Sequence, residues 1–495
     1  MKAIVIGSGF SSLACSCYLA KEGYDVTVVE KNSEIGGRAR VFSKEGFKFD
    51  IGPTWYWMPD VFEDFFGQFG KSPDDYYELI RLDPGYKVYF GVNDYADIPA
   101  SLEEIYTLFE TEEHGSSIFL EKFLNKAQEN YDIAVKDLVY KPGESLTELV
   151  TFETVQRLGL FFKSIRTEVH GKIKSERLRK ILEFPVLFLG AKPSNTPAFY
   201  NFMNFADFGL GTWHPKGGMG EVSKGIEALA VSLGVEFVLD CEVAQIQLDE
   251  QGEFQCIHTN KGQLTADVLI SGADYHHTES LLPISSRQYD QKYWNKKTFA
   301  PSALLFFVGF DKKLSGLSHH TLFFDTDFDQ HAKHIYDQPS WPKDPLFYAS
   351  FPSITDSSFA PHGKESATFL IPLAPNLHDS EELRSEYFDL IISRLEKLTK
   401  QSLKENILFS KSYCVSDFKK DYNSFKGNAY GLANTLLQTA YFRPKIRSSK
   451  VPNLFFTGQL TVPGPGVPPS LISGKIASEL VKKYYKISIH EETVV

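Results

Sequence analysis

At 495 residues the chain is too long for one ordinary domain and predicts two or three structural units. Its 42% hydrophobic and 23% charged residues describe a soluble globular protein. A net charge of −11 argues against a general nucleic-acid binder, which needs basic surface to neutralise phosphates. Aromatic content stands out: 41 Phe, 24 Tyr and 5 Trp make 14% of the chain, enough for large apolar cavities or simply for core packing. Five scattered cysteines (Cys15, Cys17, Cys241, Cys256 and Cys414) fit neither a disulfide framework nor a zinc-ligand pattern, and read as reduced thiols of a cytosolic protein. Strand-like sequence starts at Ala3 without a charged leader, so no signal peptide is expected. No apolar run reaches the about 18 residues of a membrane span.

Lys2 to Ile6 alternates into a short apolar strand, Gly7-Ser8-Gly9 makes a turn, and a helix is predicted from Ser11 to Lys21. Tyr24 to Lys31 is a second strand, so the order is that of a dinucleotide-binding βαβ unit with Ser12 in place of the third glycine of GxGxxG. Gly7 permits the tight turn and Gly9 lets a pyrophosphate approach the backbone, whereas the third position only sets how closely helix and strand pack. Ser12 therefore predicts modest packing strain and intact phosphate binding, with the free N–H groups of the helix that opens at Ser11 facing the phosphate. Glu30, 23 residues after Gly7 and followed by Lys31, ends the second strand where a carboxylate accepts hydrogen bonds from an adenosine ribose. The next segment, IGGRAR, ends a second glycine pair at Gly37. Its Arg38 and Arg40 carry guanidinium forks suited to a loop folded over a pyrophosphate.

Further along, Trp55, Tyr56 and Trp57 are consecutive and cannot all face one core, so at least one is expected to line a cavity or meet solvent. Tyr86 to Gly91 reads as a strand, followed by long helical patterns. Residues 163–180 hold four Lys, three Arg and two Glu, a local balance of +5, between the apolar runs LGLFF and ILEFPVLFLGA. This suits either attachment to an anionic leaflet or a solvated helix face between two core segments. Residues 213–243 read as loop, helix and strand, Asp267 to Asp274 as a buried strand, and Ser302 to Phe310 as another. His319, His320, His331 and His334 lack the carboxylate-and-histidine spacing of a metal site and read as polar loop structure. Near the end, Asn453 to Val481 is an apolar strand, a Gly/Pro loop and a helix from near Ser470, without charge until Lys475. Such an N-terminus can stabilise negative charge.

The run VVEKNSEIGGRAR is similar to the second FAD fingerprint of the large flavoprotein family that contains amine oxidases and carotenoid desaturases. With GSGFSSLA, FDIGPTWYWMPDVFE, LEFPVLFLGAKPSNTPA, GTWHPKGGMGE, SGADYHH, HHTLFF, KGNAYGLANTLLQTA and FTGQLTVPGPGVPPSLISG, most of the chain resembles the bacterial-type phytoene desaturases. The resemblance implies an α/β fold: a Rossmann-type FAD-binding domain of the amine oxidase/glutathione reductase-like superfamily, discontinuous over 1–83, 213–295 and 426–495. It further implies a mixed-sheet substrate-binding domain over 84–140 and 296–425, and a helical, membrane-associating region over 141–212. In such proteins Gly52, Pro53, Thr54 and Trp55 would pass the flavin ring and the backbone of Val243 would contact adenine. Gly458-Gln459 replaces the Gly-Asp of many relatives, and Val467 and Pro468 open the helix facing the flavin. No cysteine lies near that loop, so the FAD is expected to be non-covalent.

The implied activity is successive dehydrogenation of phytoene towards lycopene by hydride transfer to flavin, or 3,4-desaturation of a hydroxycarotenoid as in close paralogues. The implied partners are a hydrophobic carotenoid, a membrane surface touched peripherally from the cytoplasmic side, and oxygen or a quinone as electron acceptor. The polyene itself delocalises the developing cation, so a strong side-chain base need not be evident. None is, and Asp50, Tyr56 and His214 are only positions to test. An amine or porphyrinogen oxidase, a flavin-dependent isomerase, and a lipid carrier resembling Rab escort proteins remain alternatives on the same fold.

Overall fold

A computed structural model describes residues 1–149 and 157–492, so 150–156 of the expected helical region lie outside the described residues. Five strands, Leu454–Phe456, Val268–Ser271, Lys2–Ile6, Asp25–Val29 and Glu236–Val238, lie side by side in that order, every pair parallel. Helices Phe10–Lys21, Met219–Ser232 and Val467–Glu492 flank this sheet. Strands buried on both faces need continuous apolar sequence rather than alternation, and Ala3, Ile4, Val5 and Ile6 are all buried. The last helix starts at Val467, slightly before the expected Ser470. It crosses Phe10–Lys21 so closely that a Cβ on Gly474 would stand 2.4 Å from the Ser11 carbonyl oxygen.

A second sheet has seven strands in the order Ile407–Tyr413, Ser302–Phe310, Glu365–Leu373, Phe347–Ser350, His320–Phe323, Tyr86–Gly91 and Asp94–Ile98. It is mixed: only His320–Phe323 and Tyr86–Gly91 pair parallel. Ser302–Phe310 is buried throughout, and strand alternation divides its side chains between two cores. Leu304, Phe306 and Val308 pack with Ile391, Ile392 and Leu395 of helix Glu381–Thr399. Leu305 and Phe307 pack with Phe47 and Phe49. Much of the aromatic surplus is therefore core.

The expected substrate segment 84–140 is split. Tyr86–Ile98 joins the mixed sheet, whereas helices Leu102–Glu112 and Ser116–Lys136 pack on Ala198–Gly209 in a helical layer. Layer and sheet are tied where Tyr86 donates its hydroxyl to Asp207, 2.8 Å away in a π-helical turn, and burial pushes that carboxyl up to about 8. Among the described residues no helix is long and apolar enough to cross a membrane.

Candidate functional site

One cavity of about 1030 Å³ runs from the first βα turn to the helical layer, and its walls draw on both sheets and all three nucleotide-type segments. At one end the strand Lys2–Ile6 delivers Gly7, with φ +87°, into the turn. No atom lies within 4 Å of where a Cβ on Gly9 would be, so the backbone there is open to a ligand. The carboxylate of Glu30 accepts bonds at one oxygen from Ser8 N (2.9 Å) and Ser8 Oγ (2.8 Å). The other oxygen accepts from Asn32 N (2.9 Å) and Asn32 Nδ2 (2.8 Å). The two side-chain donors can rotate away, which leaves lone pairs for ribose hydroxyls while the backbone bonds hold the carboxylate in place.

Arg38 supplies the test of fit for a pyrophosphate. Its guanidinium lies in the cavity wall over the Tyr422 ring at 4.7 Å and, among the described residues, has one long bond to the Asn428 carbonyl oxygen at 3.4 Å and no partner at Nε. Burial lowers its pKa. A guanidinium desolvated without a carboxylate in ion-pair contact calls for an anion, and a dinucleotide pyrophosphate between Gly9 and Arg38 answers that need. Gly458, with φ +103°, and Gln459 form the opposite wall together with Val467 and Pro468. The first turn of that last helix carries no acidic residue, so its positive end faces the cavity uncompensated.

The cavity also includes Ser11, Lys31, Gly37, Gly52, Pro53, Thr54, Trp55 and Val243 in its walls. Arg40 and Ser12 differ. Arg40 turns away from the cavity into an ion pair with Asp421 at 3.0 Å, so only one of the two arginines is available to the ligand. Ser12 is fully buried and its Oγ has no hydrogen-bond partner. The strain expected there is relieved by Gly272, on which a Cβ would stand 2.0 Å from Ser12 Oγ.

Beyond the flavin-type segments the wall turns apolar, with Met58, Phe184, Phe202, Leu322 and Phe324. Trp55 and Trp57 both reach it, whereas Tyr56, on the other side of the chain, stacks on Phe62 at 4.2 Å and hydrogen-bonds Tyr77. Asp50 is not on the wall. It accepts from Met219 N at 3.0 Å, fastening the strand end to helix Met219–Ser232, and burial pushes its carboxyl up to about 7. His214 is likewise off the wall, 3.3 Å from the Asp356 carboxylate. Of the histidines set aside in the sequence, His331 lines the cavity and bonds to the Pro372 carbonyl oxygen, while His334 bonds to Ser340. His319 and His320 are buried behind the wall, His320 stacked on Trp55 and His319 packed between His320 and His214. Tyr348, a wall residue that no motif singles out, bonds to both His320 and Thr54.

At the far end Leu146, Phe162, Leu437 and Phe442 line the cavity and are also exposed, Phe162 by 81%, forming an apolar mouth. The nearby basic stretch is more paired than its composition suggests. Arg166 bonds Glu183 and Asp329, Arg177 bonds Glu112, and Arg179 and Lys180 donate to backbone carbonyls. Lys163, Lys172 and Lys174 are exposed.

A parallel-sheet dinucleotide domain, a mixed-sheet second domain and an apolar cavity joining them are the parts of a flavin-dependent oxidoreductase. The family model for flavin-containing amine oxidoreductases matches residues 10–482. A carotenoid 3,4-desaturase of Haloarcula japonica is 42% identical over 480 residues, covering 96% of this chain and 97% of the relative. A 4,4'-diapophytoene desaturase of Staphylococcus aureus is 32% identical over 502 residues, covering 97% and 99%. Among solved structures, an oxidoreductase from Methanosarcina mazei superposes with a TM-score of 0.63 at 18% identity, covering 97% of this chain and 100% of that one. A redesigned putrescine oxidase gives 0.62 at 13% identity, covering 97% and 99%; both show the fold. The chain belongs to the flavin-containing amine oxidoreductases and, within them, to the carotenoid desaturases. It is an FAD-dependent enzyme acting on CH–CH bonds.

Proposed function

We propose that the protein desaturates the 3,4 bond near one end of a linear carotenoid. The observation that carries this reading is the likeness to the Haloarcula japonica 3,4-desaturase along nearly the whole of both chains. The phytoene-to-lycopene reaction expected from the motifs is the second reading, favoured by the diapophytoene desaturases among the relatives. FAD held by the Gly9 turn, Glu30 and Arg38 would supply the acceptor for the hydride that leaves the substrate carbon. The chain's part is to hold a rod-like hydrocarbon in a dry cavity so that one C–C bond meets the flavin. The mouth of Leu146, Phe162, Leu437 and Phe442 supports entry from a lipid surface, and the exposed lysines nearby suit an anionic leaflet. We place the protein at the inner face of the cell membrane on that basis.

The test is anaerobic mixing of FAD-loaded protein with phytoene, lycopene or a 1-hydroxylated acyclic carotenoid in liposomes. Flavin absorbance and polyene bands are followed together. Flavin bleaching with the longer polyenes and not with phytoene supports 3,4-desaturation. Bleaching with phytoene alone overturns it in favour of the second reading.

A further inference from the structure

Removing a hydride from one carbon leaves a proton to be removed from its neighbour, and the substrate end of the cavity is almost all hydrocarbon. Among the described residues the carboxylates on the cavity wall, Glu30, Glu242 and Asp274, belong to the nucleotide segments. Beside Trp55 the wall carries a hydroxyl pair that is tied to an imidazole: Tyr348 Oη stands 2.8 Å from Thr54 Oγ1, and both residues line the cavity. The same Tyr348 oxygen is 2.7 Å from His320 Nδ1.

His320 is an expensive residue to keep. Its ring is fully buried and stacked on Trp55 at 4.0 Å and 12°, and its Nε2 has no partner among the described residues. A buried nitrogen without a hydrogen bond is destabilising, so an apolar ring would serve packing better. Behind it, His319 lies 4.6 Å away ring to ring, His214 lies 4.5 Å from His319, and His214 meets Asp356. Asp356 accepts from Gly217 N and Ser358 N, and these bonds with His214 hold its carboxyl well below the usual range. Burial keeps His319 and His320 neutral. The cluster thus sets one fixed negative charge behind imidazoles of which His319 and His320 are neutral at rest.

We infer that Tyr348 is the proton acceptor of the desaturation: its phenol oxygen takes the proton from the substrate carbon while its own proton passes to His320 Nδ1. The C–H electron pair becomes the new C=C bond, and the hydride departs with its own pair to the flavin that the desaturase activity supplies. The imidazolium left at His320 is balanced by the Asp356 carboxylate. Carbon acids beside an allylic cation are strongly acidic, so a neutral phenol–imidazole pair suffices. Thr54 orients the phenol and is a positioning residue. The inference rests on the desaturase reaction and holds for either bond position.

Two measurements test it. In the flavin-loaded protein without substrate, 15N-histidine NMR is expected to show His320 Nδ1 as an acceptor and Nε2 protonated, with Tyr348→Phe shifting the His320 signals. Anaerobic flavin reduction by whichever carotenoid the wild type turns over is expected to slow in D2O. Tyr348→Phe and His320→Gln are expected to slow it about 100-fold, the scale of general-base catalysis, and to abolish the solvent isotope effect while FAD content stays unchanged. Reduction at the wild-type rate in both variants, or a solvent isotope effect that survives Tyr348→Phe, overturns the inference. So does an NMR spectrum in which His320 Nδ1 is indifferent to Tyr348. Failure of every carotenoid to reduce the wild-type flavin would instead strike the proposed function, and the NMR result would still decide the His320–Tyr348 pair.

Discussion

Ser12 and Gly272 are a complementary pair: the hydroxyl that replaces the usual third glycine of the nucleotide turn occupies the space a Cβ at 272 would fill, 2.0 Å from Ser12 Oγ. The close packing of helix on strand is retained because the missing side chain has moved from one element to the other. Gly272→Ala is expected to destabilise the protein by about 1–3 kcal/mol, the usual cost of overpacking. Ser12→Ala in the same chain should restore most of the loss. Thermal unfolding of the two single variants and the double variant checks the coupling.

Glu30→Ala removes both the backbone clamp on the turn and the acceptors for ribose. FAD affinity is expected to fall by about 10- to 100-fold, from loss of bonds to a charged group. Fluorescence titration of the flavin-free protein measures it.

Arg38 and Arg40 should behave oppositely. Arg38→Met is expected to lower FAD affinity by more than about tenfold, yet to raise the melting temperature of the flavin-free protein, because it removes a buried cation that has no counter-ion in contact. Arg40→Met should leave FAD affinity within about twofold. Titration and thermal scans of both variants separate the two roles.

Asp50 gives a pH signature. Its folded pKa of about 7 lies above the unfolded value of 3.8, so the unfolded chain releases this proton first. Its contribution to stability is full below pH 3.8 and is lost as pH rises towards 7. Asp356 works in the opposite sense, its contribution fading only as pH falls through its depressed value. Asp50→Asn is expected to remove the part of the stability decline between about pH 4 and 7 due to Asp50, a difference on the order of 4 kcal/mol at most. Denaturant unfolding at pH 4 and pH 7 measures the gap.

The cavity mouth should carry membrane affinity more than the paired arginines do. Phe162→Ser with Leu437→Ser is expected to lower partitioning onto anionic liposomes by about tenfold, through lost apolar burial. Replacing Lys163, Lys172 and Lys174 by Gln should weaken binding in a salt-sensitive way. Arg177→Ala should leave it unchanged, because that guanidinium is already committed to Glu112. Liposome flotation at low and high salt distinguishes the three.

The nucleotide half of the site was legible because its signals are local. Strand, glycine turn, helix and Glu30 follow one another within about thirty residues, and each needs only its own backbone conformation to be recognised. The segments around Gly52-Pro53 and Val467-Pro468, which the family resemblance assigns to the flavin, are similarly contiguous. The substrate half was not legible. Tyr348 sits in no motif, and His320, which reads as polar loop structure in the sequence, lies in the strand His320–Phe323. Tyr56, a position to test in the sequence, stacks on Phe62 away from the cavity that Trp55 and Trp57 line.

What the sequence determined by itself is the cofactor class and the family, since both are written in short runs whose spacing is imposed by local geometry. The tertiary structure alone decided which polar groups meet at the substrate. Thr54 and Tyr348 are 294 positions apart, and His214 and Asp356 are 142 apart. The pairing of His320 with Ser350, and of Thr321 with Ala349, sets His320 beside Tyr348. A shift of one residue in that register would turn every side chain of the strand to the other face and leave the phenol without its imidazole.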